Sequence, residues 1–528
     1  MAYHWSSIDT SILSWFQSDP TASSLRKIEI ASGRIRGLGK VEVPFDFPIV
    51  SIAGPNGCGK STLLALAACA YHSTPEAFNP FGRGKPYYTF ADFFIQSVGE
   101  PQISGAIRYQ FYHNNWRAKP GQVIAPLNWQ IRKKGHGGRW TNYDSRVRRN
   151  VAYLGINRMV PEYEEPVLRT YHRMFNAGAP LGWEAAVMQS VGSVLGKPYA
   201  LMDYLRYRTH RVPRLQLGSA VYSGFNMGAG ESALIELFAT IYSCNGPLLL
   251  VVDEIELGLH EEAQVRLVRE LKAVCKQRKL QVISTTHSAA ILSALPPDGR
   301  VFLEPHAASV AVLPGVTPEY ATGRLAGRTI PEMDILVEDD VAAAVIQTAL
   351  SASTRSRLRI VPVGSHTAVM RHLAVRVTER TERPACAILD GDRRQDAEVS
   401  LNTFAKAFEG STAAQEVPRK DWARARLTFT PGAAWPELWI LDALVGAGSD
   451  VLDDEFGLAP GQREMLWSRA RAAGKHNEFF QLAQDLGAAP EIVRHRLCVL
   501  AMQQRPEERA TIVDFVGGQL GMVPTFPP

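Results

Sequence analysis

The run Gly54-Pro55-Asn56-Gly57-Cys58-Gly59-Lys60-Ser61 constrains this chain more than any other feature. It fits G-x-x-x-x-G-K-[ST] in full, follows the apolar stretch Pro48-Ile49-Val50-Ser51-Ile52-Ala53, and opens a helix expected at about 60–71. In a strand–loop–helix context such a loop curls its backbone N–H groups around phosphate oxygens. Gly54, Gly57 and Gly59 permit that close approach, and Asn56 and Thr62 complete the nucleotide-binding set. The amino end of the helix adds partial positive charge. Lys60 is expected to reach the β- and γ-phosphates of ATP, and Ser61 to ligate Mg²⁺.

The other half of a nucleotide site lies far downstream. Leu248-Leu249-Leu250-Val251-Val252 reads as a buried strand and ends in Asp253-Glu254. Asp253 would hold the hydration shell of Mg²⁺, and Glu254 would polarise an attacking water. A second buried strand, 280–287, ends in His287, within reach of a γ-phosphate. Between the two strands, residues 261–278 are amphipathic, with Val265, Leu267, Val268, Leu271, Val274 and Cys275 on the apolar side. Strands at 24–53, a helix at about 231–243 and this alternation argue for an α/β protein with a parallel sheet.

Asn226-Met227-Gly228-Ala229-Gly230-Glu231 resembles the signature of ATP-binding-cassette (ABC) ATPases. The order of the motifs resembles that superfamily over about 24–305, and Glu256, Leu257 and His260 resemble its D-loop. The resemblance implies a head-to-head homodimer or higher homo-oligomer, in which Gly228 and Gly230 of one subunit cap ATP bound by the other. Gly228 stands where transporter cassettes have Ser. Gly-x-Gly-Glu is typical of the DNA-repair and defence branch, which resembles chromosome-maintenance ATPases. Gln96 is the candidate for the glutamine that this superfamily carries between phosphate loop and signature, and other glutamines nearby serve equally.

A further α/β unit begins near 333, with strands DILVE, LRIVPV and ACAILD and helices at 340–353 and 367–379. Glu338 ends the first strand, and Asp390-Gly391-Asp392 ends the third. Alternate strand residues share a face, so Asp390 and Asp392 are expected side by side. With Glu338 they form an oxygen-rich cluster suited to Mg²⁺ or Mn²⁺. This resembles a Toprim domain, whose strand-end Glu and D-x-D bind the metals that act on phosphodiesters. Asp339 replaces the family's Gly, and Asp340 could add a ligand. A Toprim domain after an ABC ATPase resembles the overcoming-lysogenization-defect (OLD) nucleases. That family implies a further acid and a Lys, for which Glu437 and Lys475 (beside His476) are the candidates.

The chain has 528 residues, which suggests three or four domains or two large ones at ~150 residues each. The expected division is an ATPase domain at 1–330, with an insertion at about 72–220, and a Toprim domain at 331–528 with a mainly helical extension from about 400. The net charge is +5, yet residues 101–220 hold 18 Lys and Arg against 6 Asp and Glu. Residues 131–149 and 204–214 interleave these cations with Tyr and Trp, which suits phosphate contact and base stacking. A solvated basic face, a protein partner or an RNA–DNA element fits the same residues. DNA is the expected polyanion, with little sequence readout. OLD-like nucleases of defence systems work either with a reverse transcriptase and its non-coding RNA or single-stranded DNA, or, in Gabija-like systems, with a helicase.

Cysteines at 58, 69, 244, 275, 386 and 498 form no C-x-x-C pair, which argues against zinc ribbons and thioredoxin-type sites. No apolar run reaches the ~18 residues of a membrane span, and residues 1–15 lack a signal-peptide pattern, so a soluble cytoplasmic protein without a membrane partner is expected. Gly228 and the appended acidic unit argue against a transporter. A topoisomerase needs a Tyr nucleophile in a separate DNA-cleaving domain. Two readings stand: an ATP-regulated, metal-dependent DNA endonuclease of anti-phage defence, or an ATP-gated DNA-binding clamp with a degenerate Toprim scaffold.

Overall fold

The computed structural model describes the chain except residues 1–2, 77, 80–82, 101–102, 117–123, 136–137, 308, 380, 382, 409–411, 446–448, 460 and 521–528. The described residues fall into two compact units, Tyr3–Arg328 and Thr329 onward. Among them no helix is long and apolar enough to cross a membrane.

The core of the first unit is a six-stranded sheet. Its members are β3 (Ile49–Ala53), β6 (Asn150–Leu154), β11 (Leu248–Val252), β12 (Gln281–Thr285), β13 (Arg300–Pro305) and β14 (Val310–Pro314). They lie in the order β14-β13-β3-β12-β11-β6, all parallel except β14. Every residue of β3, β11 and β12 is buried, as a parallel sheet covered on both faces requires. The helix Glu261–Arg278 turns Leu267, Val268, Leu271, Val274 and Cys275 inward. Val265, placed on that side by its apolar character, is instead exposed.

Two antiparallel sheets complete this unit. One runs β2 (Val41–Pro44), β1 (Ser24–Arg34), β4 (Ser104–Tyr112), β5 (Leu127–Lys134). The other runs β10 (Ala220–Ser223), β9 (His210–Leu217), β8 (Tyr199–Tyr207), β7 (Asn176–Ala177). The segment 72–220 is therefore not one irregular insertion. β4 and β5 extend the sheet begun by β1, and β6 is a strand of the central sheet, in register with β11 from Asn150↔Leu248 to Leu154↔Val252. Its five residues follow an Arg-rich stretch, which hid their apolar character from the sequence.

The basic reading of this segment needs a second correction. Arg146 donates to the carbonyls of Cys69, Tyr88 and Tyr143, and Arg149 to Ser23, Leu248, Lys279 and the Gln281 side chain. Both are buried, so they knit the core rather than meet a polyanion. Arg148, Lys133 and Arg139 are exposed, and His136 and Gly137 of the same run lie outside the described residues.

The second unit holds a four-stranded, wholly parallel sheet: β15 (Met333–Val337), β16 (Leu358–Pro362), β17 (Ala385–Leu389) and β18 (Leu427–Phe429), in the order β16-β15-β17-β18. The chain reverses its direction of winding between β15 and β17. In open α/β sheets the crevice outside such a switch point is where ligands bind. The helix expected at 340–353 breaks at Leu350 into Asp340–Ala349 and Ala352–Arg355. From Pro436 the described chain is helical, and its buried side includes Trp439, Ile440, Leu466, Leu482, Val493 and Leu497.

Candidate functional site

In the first unit the loop after β3 and the loop after β11 meet. The helix Lys60–Ala68 starts at Gly59, which is left-handed, and its residues from Thr62 to Ala68 are buried. The buried Lys60 ammonium donates to the carbonyls of Gly54 (2.7 Å) and Pro55 (3.1 Å), so the cation sits inside the loop it serves. Ser61 Oγ donates to Asp253 Oδ2 at 3.2 Å. The hydroxyl and carboxylate assigned to one Mg²⁺ thus lie together, although 192 residues separate them. Asn56 and Gly57 are exposed at the loop tip, and Thr62 is buried.

Two residues outside the motifs hold this end of β11. Thr285 Oγ1 donates to Asp253 Oδ1 (2.6 Å) and accepts from the Glu254 N–H (2.7 Å). The buried guanidinium of Arg158 donates to the carbonyls of Gly155 (2.9 Å), Asp253 (2.7 Å) and Glu254 (2.6 Å). Glu254 occupies the left-handed region at φ +48, a costly conformation for a side-chain-bearing residue, and Arg158 and Thr285 hold it there. The His287 N–H donates to Glu256 Oε1 at 2.6 Å, which ties the end of β12 to the turn after Glu254. Thr285 is legible only as a polar residue ending an apolar strand. Arg158 carries no sequence signal.

Gly228 is the N-cap of the helix Ala229–Ser243. A Cβ on Gly230 would run into the Gly258 carbonyl, so this helix and the turn after Asp253-Glu254 touch backbone to backbone. Only glycine fits there. Glu231 is buried and accepts from Lys197 Nζ (3.0 Å), Tyr222 Oη (3.1 Å) and Tyr199 Oη, which fastens this helix to the β8–β10 hairpins. Gln96 is exposed.

In the second unit, acids gather at the carboxyl ends of β15 and β17. Glu338 Oε1 accepts from the Asp390 N–H and Oε2 from the His366 N–H, each at 2.9 Å. It laces the two strand ends to the helix His366–Thr378. Asp390 and Asp392 do not lie on a strand as expected: β17 stops at Leu389, and Gly391–Arg393 form a 3₁₀ turn capped by Asp390. A Cβ on Gly391 would lie 2.7–3.0 Å from the carbonyls of Ala434, Gly432 and Pro431. That contact brings the loop before Glu437 onto the D-x-D turn.

Glu437, Lys475 and His476 join the same site. Lys475 Nζ lies 2.6 Å from Asp392 Oδ2 and 5.3 Å from the centre of the Trp435 ring. His476 Nδ1 lies 3.1 Å from Glu437 Oε1 and 3.8 Å from Asp339 Oδ2. Asp390 is 3% exposed, and burial, followed by the charges of Glu338, Asp339, Asp392 and Glu437, pushes its carboxyl up to about 8. The ionised form is disfavoured by roughly 6 kcal/mol relative to water. Burial also raises the Glu437 carboxyl, against the opposing pull of His476.

Three carboxylate oxygens here are buried without a hydrogen-bond partner: Asp390 Oδ1, Asp392 Oδ1 and Glu437 Oε2. Arg393 Nε lies 3.7 Å from Asp392 Oδ1, and hard oxygen donors at such a charge density fit a divalent cation. The expected set needs amending, however. Glu338, Asp390 and Asp392 are neighbours, but Glu338 is latched between two backbone N–H groups. Among the described residues the group whose ligand atoms all lie within 4.8 Å of one another is Asp339, Glu437 and His476. Asp340 is exposed in the first turn of Asp340–Ala349 and does not join them; its neighbour Asp339 faces the site.

Residues 33–149 match a family model described as "AAA domain", and residues 222–293 one described as "AAA domain, putative AbiEii toxin, Type IV TA system". No curated protein matches the chain. Solved structures similar to it include three SMC heads. The SMC head bound to the C-winged helix domain of ScpA is 16% identical over 55% of this chain and 98% of its own, with a TM-score of 0.37. The SMC head domain from Thermotoga maritima is 14% identical over 55% and 98%, with a TM-score of 0.34. An Smc head with an extended coiled coil, bound to the C-terminal domain of ScpA derived from Pyrococcus furiosus, is 14% identical over 57% and 98%, with a TM-score of 0.37. Lys60 and Ser61 lie in the first matched segment, and Asp253, Glu254 and His287 in the second, so the two halves of the site fall in segments similar to AAA domains.

Proposed function

We propose that this chain is an ATP-hydrolysing, metal-dependent DNA endonuclease of the OLD kind, in which residues 329–528 form a Toprim-like nuclease unit. The observation that carries the reading is the gathering of Asp390, Asp392, Glu437 and Lys475 at a topological switch point, with three carboxylate oxygens unsatisfied. A structural role for these acids would leave Asp390 destabilising its own fold. In this reading Asp390, Asp392 and Glu437 hold divalent cations. A bound Mg²⁺ or Mn²⁺ supplies Lewis acidity and a more acidic water.

The chain's own groups do the rest. Lys475 offers a positive charge to a phosphate or departing oxygen once Asp392 turns to the cation. Trp435 supports the ammonium from one side. Glu338 fixes the relative positions of Asp390 and His366 through their N–H groups. In the first unit, Lys60, Ser61, Asp253 and Glu254 bind and hydrolyse ATP. Head-to-head dimers, with Gly228 and Gly230 on the partner's nucleotide, let ATP state gate the nuclease unit. The toxin named in the family description of residues 222–293 agrees with an effector role in cytoplasmic anti-phage defence. A reverse transcriptase with its nucleic acid, or a helicase, is the matching partner. The clamp reading draws on one contact, the Lys475–Asp392 ion pair, which lets the site neutralise itself.

Supercoiled plasmid tests the proposal. The purified chain with its partner, ATP and Mg²⁺ or Mn²⁺ is expected to nick or linearise it, and chelation to stop this. DNA binding without strand scission under all these conditions favours the clamp.

A further inference from the structure

We infer that Asp339, Glu437 and His476 form a cation subsite beside the D-x-D pair, sharing Glu437 with it, one that takes a divalent ion accepting nitrogen ligation, such as Mn²⁺, Co²⁺ or Zn²⁺, in preference to Mg²⁺. One ligand atom from each lies within 4.8 Å of the others. Two of the three donors, Asp339 and Glu437, are held in place by something other than the ion. Asp339 is the N-cap of Asp340–Ala349, with Oδ1 accepting from the N–H groups of Val341 (2.9 Å) and Ala342 (2.8 Å). That leaves Oδ2 turned toward His476. Glu437 opens the helix Pro436–Val445, and its side chain is 3% exposed. Its Oε1 lies 3.1 Å from His476 Nδ1, and its Oε2 is buried without a hydrogen-bond partner, free to meet an ion.

The donor set argues for the kind of ion. Mg²⁺ prefers oxygen ligands in near-ideal octahedral geometry and sheds water reluctantly. Imidazole suits Zn²⁺ and the later transition ions, and Mn²⁺ accepts mixed nitrogen and oxygen sets. Two carboxylates and one imidazole supply three protein ligands and leave positions open for water or a phosphate oxygen, the composition of a reactive rather than a closed site. Asp339, the residue by which the chain departs from the Toprim pattern, thereby becomes a ligand. The subsite borders the D-x-D turn through Lys475, the residue before His476, which pairs with Asp392. Binding at the subsite does not depend on the nuclease reading; only the use of the ion in cutting rests on it.

The test uses the full chain without nucleotide, in a large excess of Mg²⁺. Equilibrium dialysis with Co²⁺ is expected to show one tightly bound ion per chain, and His476→Ala and Glu437→Gln each to weaken it at least ~10-fold. Bound Mn²⁺ is expected to show nitrogen modulation in its electron spin echo, lost in His476→Ala. Circular dichroism establishes that the variants are folded. Absence of Co²⁺ binding by the wild type, or binding indifferent to both substitutions, would overturn the inference and leave His476 as the counter-charge of two acids. Asp390→Ala/Asp392→Ala separates this from the nuclease reading. It is expected to keep the His476-dependent ion while losing cutting. A wild type that binds Co²⁺ through His476 yet never cuts DNA strikes the nuclease reading alone.

Discussion

Lys475 Nζ and Asp392 Oδ2 lie 2.6 Å apart across 83 residues of sequence, and this pair joins the helical carboxy-terminal region to the end of the parallel sheet. In the proposed nuclease site this ammonium is the counter-charge for a cation-bound phosphate. Lys475→Met is expected to reduce DNA cutting by at least ~10², the order seen when one preorganised electrostatic group is removed from an active site. ATP turnover should stay within twofold. Single-turnover cleavage beside a phosphate-release assay on the same preparation checks both.

Asp390 makes a stability prediction of known sign. In the folded, cation-free chain its carboxyl is pushed up to about 8, above its ordinary 3.8. Between these values the unfolded chain has released a proton that the folded chain keeps, so rising pH favours unfolding. Asp390→Asn removes this liability. In chelator its melting temperature should exceed the wild type's by several degrees at pH 8, with the gap narrowing toward pH 5. Calorimetry at the two pH values measures it, and a gap that does not change with pH would contradict the assigned burial.

Arg158 should act on turnover rather than on nucleotide affinity. It holds the carbonyls of Asp253 and Glu254, and Glu254 sits at a positive φ. Arg158→Gln leaves Lys60 and the phosphate loop untouched but frees that turn. ATP hydrolysis should fall ~10-fold or more while ATP affinity stays within a few-fold, because a misplaced water-orienting carboxylate costs rate before binding. Nucleotide titration beside steady-state kinetics separates the two.

The basic segment divides into core and surface. Arg146→Glu or Arg149→Glu buries an unpaired carboxylate among carbonyls, at a cost of about 3–5 kcal/mol, and should lower the melting temperature or abolish soluble expression. Reversing Lys133, Arg139 and Arg148, which are exposed, should leave the fold intact. If this surface meets DNA, it should also flatten the salt dependence of binding by up to about 0.9 per lost phosphate contact.

The parts of the site written in contiguous residues were legible. The phosphate loop and Asp253-Glu254 each follow an apolar strand, and local pattern suffices to read them. Thr285 and Arg158 escaped because they act through single side chains on the backbone of distant residues, a relation no spacing encodes. Arg146 and Arg149 misled because composition counts charge without burial; a guanidinium has five donors, and here carbonyls accept from them. β6 is hidden because Asn150-Val151-Ala152-Tyr153-Leu154 follows three arginines and lacks the unbroken apolar run that marks β11. Glu437 and Lys475 came into view only through family resemblance, since the close approach of Gly391 to residues 431–434 is invisible in one dimension. The D-x-D spacing suggested a strand, whereas the turn after Leu389 sets the two carboxylates.

The nuclease claim is tested most directly by DNA cleavage in the Asp390→Ala/Asp392→Ala protein, assembled with its partner and supplied with ATP and Mn²⁺, with ATP turnover measured in the same tube. Cleavage lost while ATP turnover persists at the wild-type rate is the expected result. Cleavage that continues in the double variant would contradict it, and would leave residues 329–528 as a scaffold on an ATP-driven clamp.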